Sequence, residues 1–143
     1  MRIVNSFIAK TIRWFLIVSG LMTCAILPLA IDINFMTSLF GGLVDYTPSS
    51  VPALRHWGFT IFGIGALMVV SAFRPWLRFE VMLLSSIEKA FLVYLVVSNH
   101  GQPWMAGYLT ASIVDGIIAT YSLVYFLSDQ GRPGRWVSST GRR

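Results

Sequence analysis

The chain has 143 residues, of which 55% are hydrophobic and only 12% are charged, and its net charge is +5. A soluble domain normally carries about 25% charged residues, so this composition indicates lipid as the solvent and excludes an ordinary soluble domain. The single cysteine, Cys24, excludes an internal disulfide and a Cys-x-x-Cys redox pair. The basic residues lie at the ends of apolar runs, which predicts a lipid bilayer and not a nucleic acid as the partner.

Four apolar segments follow one another, each with about the length that a helix needs to cross ~30 Å of hydrocarbon. A backbone surrounded by lipid must satisfy its own hydrogen bonds, so each segment is predicted to be helical. The short connections at residues 73–80 and 98–103 predict antiparallel neighbours. The sequence therefore predicts an all-α integral membrane protein. Residues 1–130 are predicted to form one antiparallel bundle of four transmembrane helices, with spans at about 12–31, 55–73, 79–98 and 104–127.

The first segment has a second interpretation, as a cleaved signal peptide, because Arg2, Lys10 and Arg13 precede it. Cleavage after Ala30 would place Pro28 at the third position before the cut, which makes a poor site. The apolar run is also long for a signal peptide. We therefore predict that this helix is retained.

The positions of the basic residues predict the orientation. Nine of the eleven lysines and arginines lie before the first span, between the second and third, or after the fourth (Arg2, Lys10, Arg13, Arg74, Arg78, Arg132, Arg135, Arg142 and Arg143). Such residues collect on the cytoplasmic side, so both termini are predicted to be cytoplasmic in a multi-pass protein of the inner membrane. Residues 131–143 are predicted to form a flexible basic tail, whose arginines set the topology or contact anionic lipid.

The long external connection precedes the second span. Its apolar middle, residues 35–44, is predicted to lie on the membrane surface. Ser50 followed by Pro52 predicts the start of the second helix, just before Arg55 and His56. These two residues are candidates on the external face. Arg55 is expected to pair with Asp32 or Asp45 while His56 lies among lipid headgroups; the alternative is that both face a ligand.

Three ionisable side chains lie inside the predicted spans. Glu88 and Lys89 are neighbours in the third span, and Asp115 lies in the fourth. Lys89 is about eleven residues from His100 and Asp115 about twelve from Pro103, which places both at roughly 16 to 18 Å from the same short turn. An unpaired charge in hydrocarbon costs about 2.5 to 3.5 kcal/mol, so Lys89 and Asp115 are predicted to form an intramembrane pair.

Small residues support this assignment. They recur every four residues around Asp115 and predict close helix contact on that face of the fourth span (Gly107, Ala111 and Ala119). Gly63 and Gly65 in the second span are likewise predicted to serve close packing, because no strand or basic residue accompanies them as in a phosphate loop.

Glu88 is the remaining charge. Adjacent residues of a helix point about 100° apart, so Glu88 is not expected to form the primary pair with Lys89. It is expected on the face of Leu84, Leu92 and Leu95, where it carries a proton or faces a polar cavity or another subunit.

The sequence contains no recognisable catalytic set. His56, His100 and Cys24 lie apart, so no metal site and no cofactor are predicted.

Three short motifs, RHWG at 55–58, RPWLR at 74–78 and EKA at 88–90, lie in a four-span chain of this length. In these respects residues 55–127 resemble small bacterial membrane proteins of the DoxX-like and BphX-like kind. The resemblance implies a four-helix bundle in the inner membrane and little about chemistry.

Two hypotheses about function follow. The first is a non-catalytic membrane protein, either an accessory or assembly partner of another membrane protein or a binder of a small lipophilic molecule, held together by Lys89 and Asp115. The second is a homo-oligomeric proton-coupled carrier of small molecules, in which Glu88 takes up and releases the proton.

Overall fold

The computed structural model describes residues 2–40 and 46–131, and all regular structure in this part of the chain is helical. There are six α-helices: α1 (Arg2–Cys24), α2 (Leu27–Ile31), α3 (Asn34–Leu39), α4 (Val51–Phe73), α5 (Arg78–Ser98) and α6 (Leu109–Leu127). Short 3₁₀ turns occupy Pro75–Leu77, Pro103–Tyr108 and Asp129–Gly131. The predicted tail lies outside the described residues from position 132 onward.

Within residues 2–40 and 46–131, four helical segments are long and apolar enough to cross a membrane: Ile3–Ile31, Val51–Phe73, Pro75–Ser98 and Met105–Leu127. The all-helical class and the four apolar helices are therefore confirmed. The first helix begins well before the predicted residue 12, because its basic N-terminal part is amphipathic. Ile8 and Ile12 are buried there, while Lys10 and Arg13 are exposed.

The first span is interrupted between α1 and α2. Pro28 has no N–H to donate to the carbonyl of Cys24 four residues earlier, so a regular helix cannot continue through this point. The chain turns at Ala25 and Ile26, and α2 then buries Leu29 completely. A Cβ atom added at Gly58 would lie 3.1 Å from the Cβ of Leu29, so α2 lies close to α4.

Two clusters of apolar side chains hold the helices together. The larger cluster joins α1, α4, α5 and α6 and includes Leu16, Met68, Met82 and Tyr125. The smaller cluster joins Leu29 to Phe40. Many large apolar side chains point outward instead (Phe59, Ile87, Phe91, Ile113, Ile117 and Leu127 among them). A surface of this kind is stable in lipid and unfavourable in water.

Helices α1 and α4 approach each other closely at two glycines. A Cβ atom at Gly65 would lie 2.7 Å from the carbonyl oxygen of Gly20 and 2.8 Å from the backbone nitrogen of Cys24. Close packing therefore explains Gly65, as predicted. The same prediction is wrong for Gly63, because a Cβ atom there would meet nothing within 4 Å.

Different contacts define the two ends of α4. Ser50 precedes the helix and proline occupies its first turn, as predicted, but the Ser50 hydroxyl donates to the carbonyl of Thr47 at 2.9 Å and does not cap the helix. At the other end, Arg78 donates from Nε to the carbonyl of Ser71 at 3.2 Å and from Nη2 to that of Ala72 at 2.9 Å. The bond to Ala72 satisfies a carbonyl that the last turn of the helix leaves without a helical partner, whereas the Ser71 carbonyl also accepts from the backbone N–H of Arg74.

Helices α1 and α6 meet at the N-terminal end of α1 and the C-terminal end of α6. The side-chain amide of Asn5, near the start of α1, donates to the carboxylate of Asp129, just after α6. The backbone N–H of Asp129 in turn donates to the Asn5 side-chain oxygen at 3.1 Å. The beginning and the end of the described chain are therefore neighbours in space.

Candidate functional site

Lys89 on α5 contacts Asp115 on α6. Its Nζ atom lies 3.1 Å from Asp115 Oδ1, and only 4% and 10% of the two side chains are exposed. The sequence predicted this contact because the two residues lie at a similar distance from the turn that joins α5 to α6. The structure contains the contact. Burial at this level makes an unpaired charge costly, so each of the two charges needs a partner.

Glu88 also contacts Lys89, which corrects the sequence prediction. Its Oε2 atom lies 3.0 Å from Lys89 Nζ, although the two residues are adjacent on one helix. The prediction considered the directions of the Cα–Cβ bonds and neglected the four-carbon lysine chain, which is long enough to bring its ammonium back beside the neighbouring carboxylate. Glu88, Lys89 and Asp115 therefore form one group, which we call the charged cluster.

The two carboxylates of the charged cluster differ in their surroundings. Glu88 Oε2 is buried. It lies close to Lys89 Nζ, but the angles of this contact are not those of a hydrogen bond, and no other described residue donates a hydrogen bond to it. The Glu88 side chain as a whole is 23% exposed, more than twice as much as that of Asp115. Glu88 is thus the carboxylate that retains capacity to accept a hydrogen bond.

A cavity of about 400 Å³, which we call the chamber, has the charged cluster in its wall. The C-terminal end of α1, helix α3, the first half of α4, the middle of α5 and the first half of α6 surround it. The remaining wall is mainly apolar (Met22, Thr23, Ala25, Ile26, Phe35, Leu39, Phe40, Trp57, Ile61, Leu92, Gly107, Tyr108, Thr110, Ala111 and Val114). A mostly apolar cavity of this size with a few polar groups is the usual form of a small-molecule site.

The chamber is lined on one side by α3 and Phe40, which follow α2 in the chain. Phe40 is buried, and its ring lies 4.3 Å from that of Tyr108. A side chain at Gly107 would place a Cβ atom 3.0 Å from the carbonyl oxygen of Phe40, so glycine permits this approach. The predicted surface helix at residues 35–44 is thus in part a wall of the chamber; residues 41–45 lie outside the described residues.

A second cavity of about 490 Å³, which we call the outer cavity, lies beside the chamber between α4, α5 and the turn before α6. The two cavities share five lining residues (Trp57, Ile61, Glu88, Leu92 and Tyr108). Phe91 and Thr60 line the outer cavity and are exposed on the surface of the protein. Glu88 therefore stands where the two cavities adjoin.

A third cavity of about 430 Å³ lies between α1 and α6 (Thr11, Trp14, Phe15, Val18, Ser19, Met22, Val114, Ile117, Ile118 and Tyr121). It has no carboxylate, ammonium or guanidinium group in its wall. It therefore offers no charged anchor, and the chamber is the better candidate for a site.

Arg55 and His56 do not belong to the chamber. Arg55 donates from Nε to the carbonyl of Ala30 at 2.7 Å, and it makes no ion pair with Asp32, whose carboxylate accepts from Asn34 instead. The predicted Arg55–Asp32 pair is thus wrong. The last carbonyls of α2 lack helical partners, and the arginine serves one of them. The other predicted partner, Asp45, lies outside the described residues. His56 is exposed.

The aromatic members of the site were not identified from the sequence. No role in a site was predicted for Trp57, Phe40 or Tyr108. Gly107 was the available signal, since its place on the small-residue face indicated that something packs closely there.

Among residues 2–40 and 46–131 there is no group of three or more histidine, cysteine, aspartate and glutamate side chains that could hold a metal ion. What the charged cluster can do is donate and accept hydrogen bonds and attract an opposite charge.

Comparisons with family models, curated proteins and solved structures found no match to this chain. The resemblance to DoxX-like and BphX-like proteins therefore stays a prediction, based on the motifs at 55–58, 74–78 and 88–90.

Proposed function

We propose that this chain is a non-catalytic integral membrane protein that binds a small lipophilic molecule in the chamber. The observation that supports this most strongly is the charged cluster in the wall of an otherwise apolar cavity of about 400 Å³. A charge buried only for stability is best enclosed by protein, whereas these three side chains all border open space. Apolar walls select a lipophilic molecule, and the polar groups orient it.

The bound molecule can be sought directly. The protein is purified from its native membranes in a mild detergent, and small molecules that remain bound are measured by mass spectrometry. Ala111 lines the chamber, so Ala111→Leu is expected to reduce the bound amount about tenfold, because added methyl groups overpack the site. Ala90 is exposed on α5, and Ala90→Leu is the matched control that should change nothing.

Equal retention by the two leucine variants would contradict binding in the chamber. The same preparation tests the role of an accessory or assembly partner, since a second protein recovered in stoichiometric amount, with no bound small molecule, would favour that function instead.

We further propose an antiparallel arrangement of the four apolar helices in the inner membrane, with both termini in the cytoplasm. Two observations support it. The contact between Asn5 and Asp129 joins the two ends of the described chain, as an even number of crossings requires. Nine of the eleven lysines and arginines also fall on the side that would be cytoplasmic (Arg2, Lys10, Arg13, Arg74, Arg78, Arg132, Arg135, Arg142 and Arg143).

Labelling of spheroplasts tests this orientation. In a Cys24→Ser background, Ser49→Cys lies in an exposed turn before α4 and is expected to react with a membrane-impermeant maleimide added outside. A cysteine added after Arg143 is expected to react only once the membrane is permeabilised. Reaction of the C-terminal cysteine in intact spheroplasts would contradict the proposed orientation.

A homo-oligomeric proton-coupled carrier is the second candidate. Its support is the position of Glu88 where the chamber and the outer cavity adjoin, which is where a group that gains and loses a proton could control passage. Four helices barely enclose a path, so this function requires a homodimer or larger assembly. A strictly monomeric protein in the membrane would contradict it.

A further inference from the structure

We infer that the molecule held in the chamber is a lipophilic amine, bound in its cationic form by Glu88 and admitted from the lipid through the outer cavity. This inference rests on the proposed function and adds the chemical class of the ligand.

The first argument is the charge of the cluster. Glu88 and Asp115 supply two carboxylates, and Lys89 supplies a single ammonium, which lies 3.0 and 3.1 Å from them. Among the described residues that line the chamber or the outer cavity, there is no arginine, no histidine and no lysine besides Lys89. The protein therefore leaves one carboxylate without a cation of its own, and a positive charge brought by a ligand completes the cluster.

The second argument is hydrogen bonding. Glu88 Oε2 is buried and has no directed hydrogen bond in the described part of the chain. A buried acceptor with no well-aligned donor is costly, and an ammonium group of a ligand supplies up to three donors. A carboxylate or phosphate ligand would instead approach Lys89 past two carboxylates, which repel it. The cluster thus favours a cation over an anion.

The third argument is the wall around Glu88. Trp57 and Tyr108 line both cavities together with Glu88. Aromatic faces attract cations, and they also contact the apolar part of an amine. The chamber and the outer cavity, at about 400 and 490 Å³, are each large enough for a small organic molecule.

The route follows from the outer cavity. Phe91 and Thr60 in its wall are exposed at the surface of the protein, where the proposed membrane lies. A lipophilic amine dissolved in the bilayer can enter the outer cavity there, and on this route it reaches Glu88 before it reaches Lys89 or Asp115, which do not line the outer cavity.

Three probes with one aromatic group and different heads test the inference: pyrenemethylamine, pyrenemethanol and pyrenecarboxylate. The full-length protein in lipid nanodiscs is titrated with each, and binding is read as energy transfer from the protein tryptophans to pyrene, with empty nanodiscs as the blank. We expect the amine to bind about tenfold more tightly than the alcohol, because a charge-assisted hydrogen bond is lost in the alcohol, and the carboxylate to bind most weakly.

Glu88→Gln keeps the shape of the side chain and removes its charge. It is expected to weaken amine binding about tenfold and to abolish the preference of the protein for the amine over the alcohol. Glu80→Gln is the matched control, because Glu80 is an exposed acid on the same helix and lines neither cavity. It should leave all three affinities unchanged.

The outcomes separate the inference from the proposed function. If no probe binds saturably, or if Ala111→Leu weakens none of them, the proposed function is wrong. If the probes bind and Ala111→Leu weakens all three, but the wild type binds amine and alcohol alike, only the inference is overturned. This comparison needs no Glu88 variant, so it holds even if Glu88→Gln fails to fold.

Discussion

Gly65→Ala is expected to lower the free energy of unfolding by about 3 kcal/mol, because the added methyl group cannot be accommodated without separating α1 from α4. The new Cβ atom would lie 2.7 Å from the carbonyl oxygen of Gly20 and 2.8 Å from the backbone nitrogen of Cys24. Both are backbone atoms, so no side-chain rotation relieves the contact. Movement of α1 would also displace Thr23, which lines the chamber.

Gly63 provides the matched control two residues away on the same helix. A Cβ atom there would meet nothing within 4 Å. Gly63→Ala is therefore expected to be neutral or to stabilise by about 0.5 to 1 kcal/mol, since alanine favours a helix more than glycine does. Thermal melts in a mild detergent compare the two variants. Equal melting temperatures for Gly63→Ala and Gly65→Ala would show that α1 and α4 do not approach at this point.

The number of apolar helices and the Lys89–Asp115 contact could both be predicted from the sequence. The four helices follow from segment length and the scarcity of charge, which are local properties. The contact follows because both residues can be counted from the same short turn, where the rise per residue determines their level.

The position of Glu88 could not be predicted in the same way. The direction of its Cα–Cβ bond is set by the helix, but its contact depends on the conformation that the lysine side chain adopts between two carboxylates. Asp32, one of the two predicted partners of Arg55, was wrong for a related reason. Carboxylates were considered, although the end of a short helix such as α2 offers unpaired carbonyls that a nearby guanidinium can serve.

The chamber itself depends on contacts between distant segments. Phe40 covers it because the connection from α2 folds back onto Gly107 and Tyr108, more than sixty positions later in the chain. Neither composition nor periodicity indicates which distant segments contact each other. Only Gly107 indicated that some close neighbour packs at this position.

Lys89→Met is expected to cause the largest loss of stability of any single substitution in the charged cluster, about 3 to 5 kcal/mol. Methionine keeps most of the length of the side chain but leaves Glu88 and Asp115 without their common cation. The two carboxylates then lie in the wall of one cavity without a cation between them, and they repel each other. Lys10→Met is the control, because Lys10 is exposed on α1 and its loss is expected to change the stability by no more than about 0.5 kcal/mol.

Asp115→Leu is expected to cost less than Lys89→Met. It leaves Lys89 beside Glu88, so one carboxylate still balances the ammonium. This asymmetry distinguishes a cluster of three charges from an isolated pair, since in an isolated pair either single substitution leaves one buried charge without a partner.

The double-mutant cycle of Lys89→Met and Asp115→Leu is the most direct test of the charged cluster, on which the proposed site depends. The wild type, the two single variants and the double variant are unfolded under the same conditions, and their free energies of unfolding are compared. Because the double variant removes both the cation and one carboxylate, its loss is expected to be smaller than the sum of the single losses by about 1 to 3 kcal/mol. Losses that add would mean that Lys89 and Asp115 do not interact, and the charged cluster would not exist.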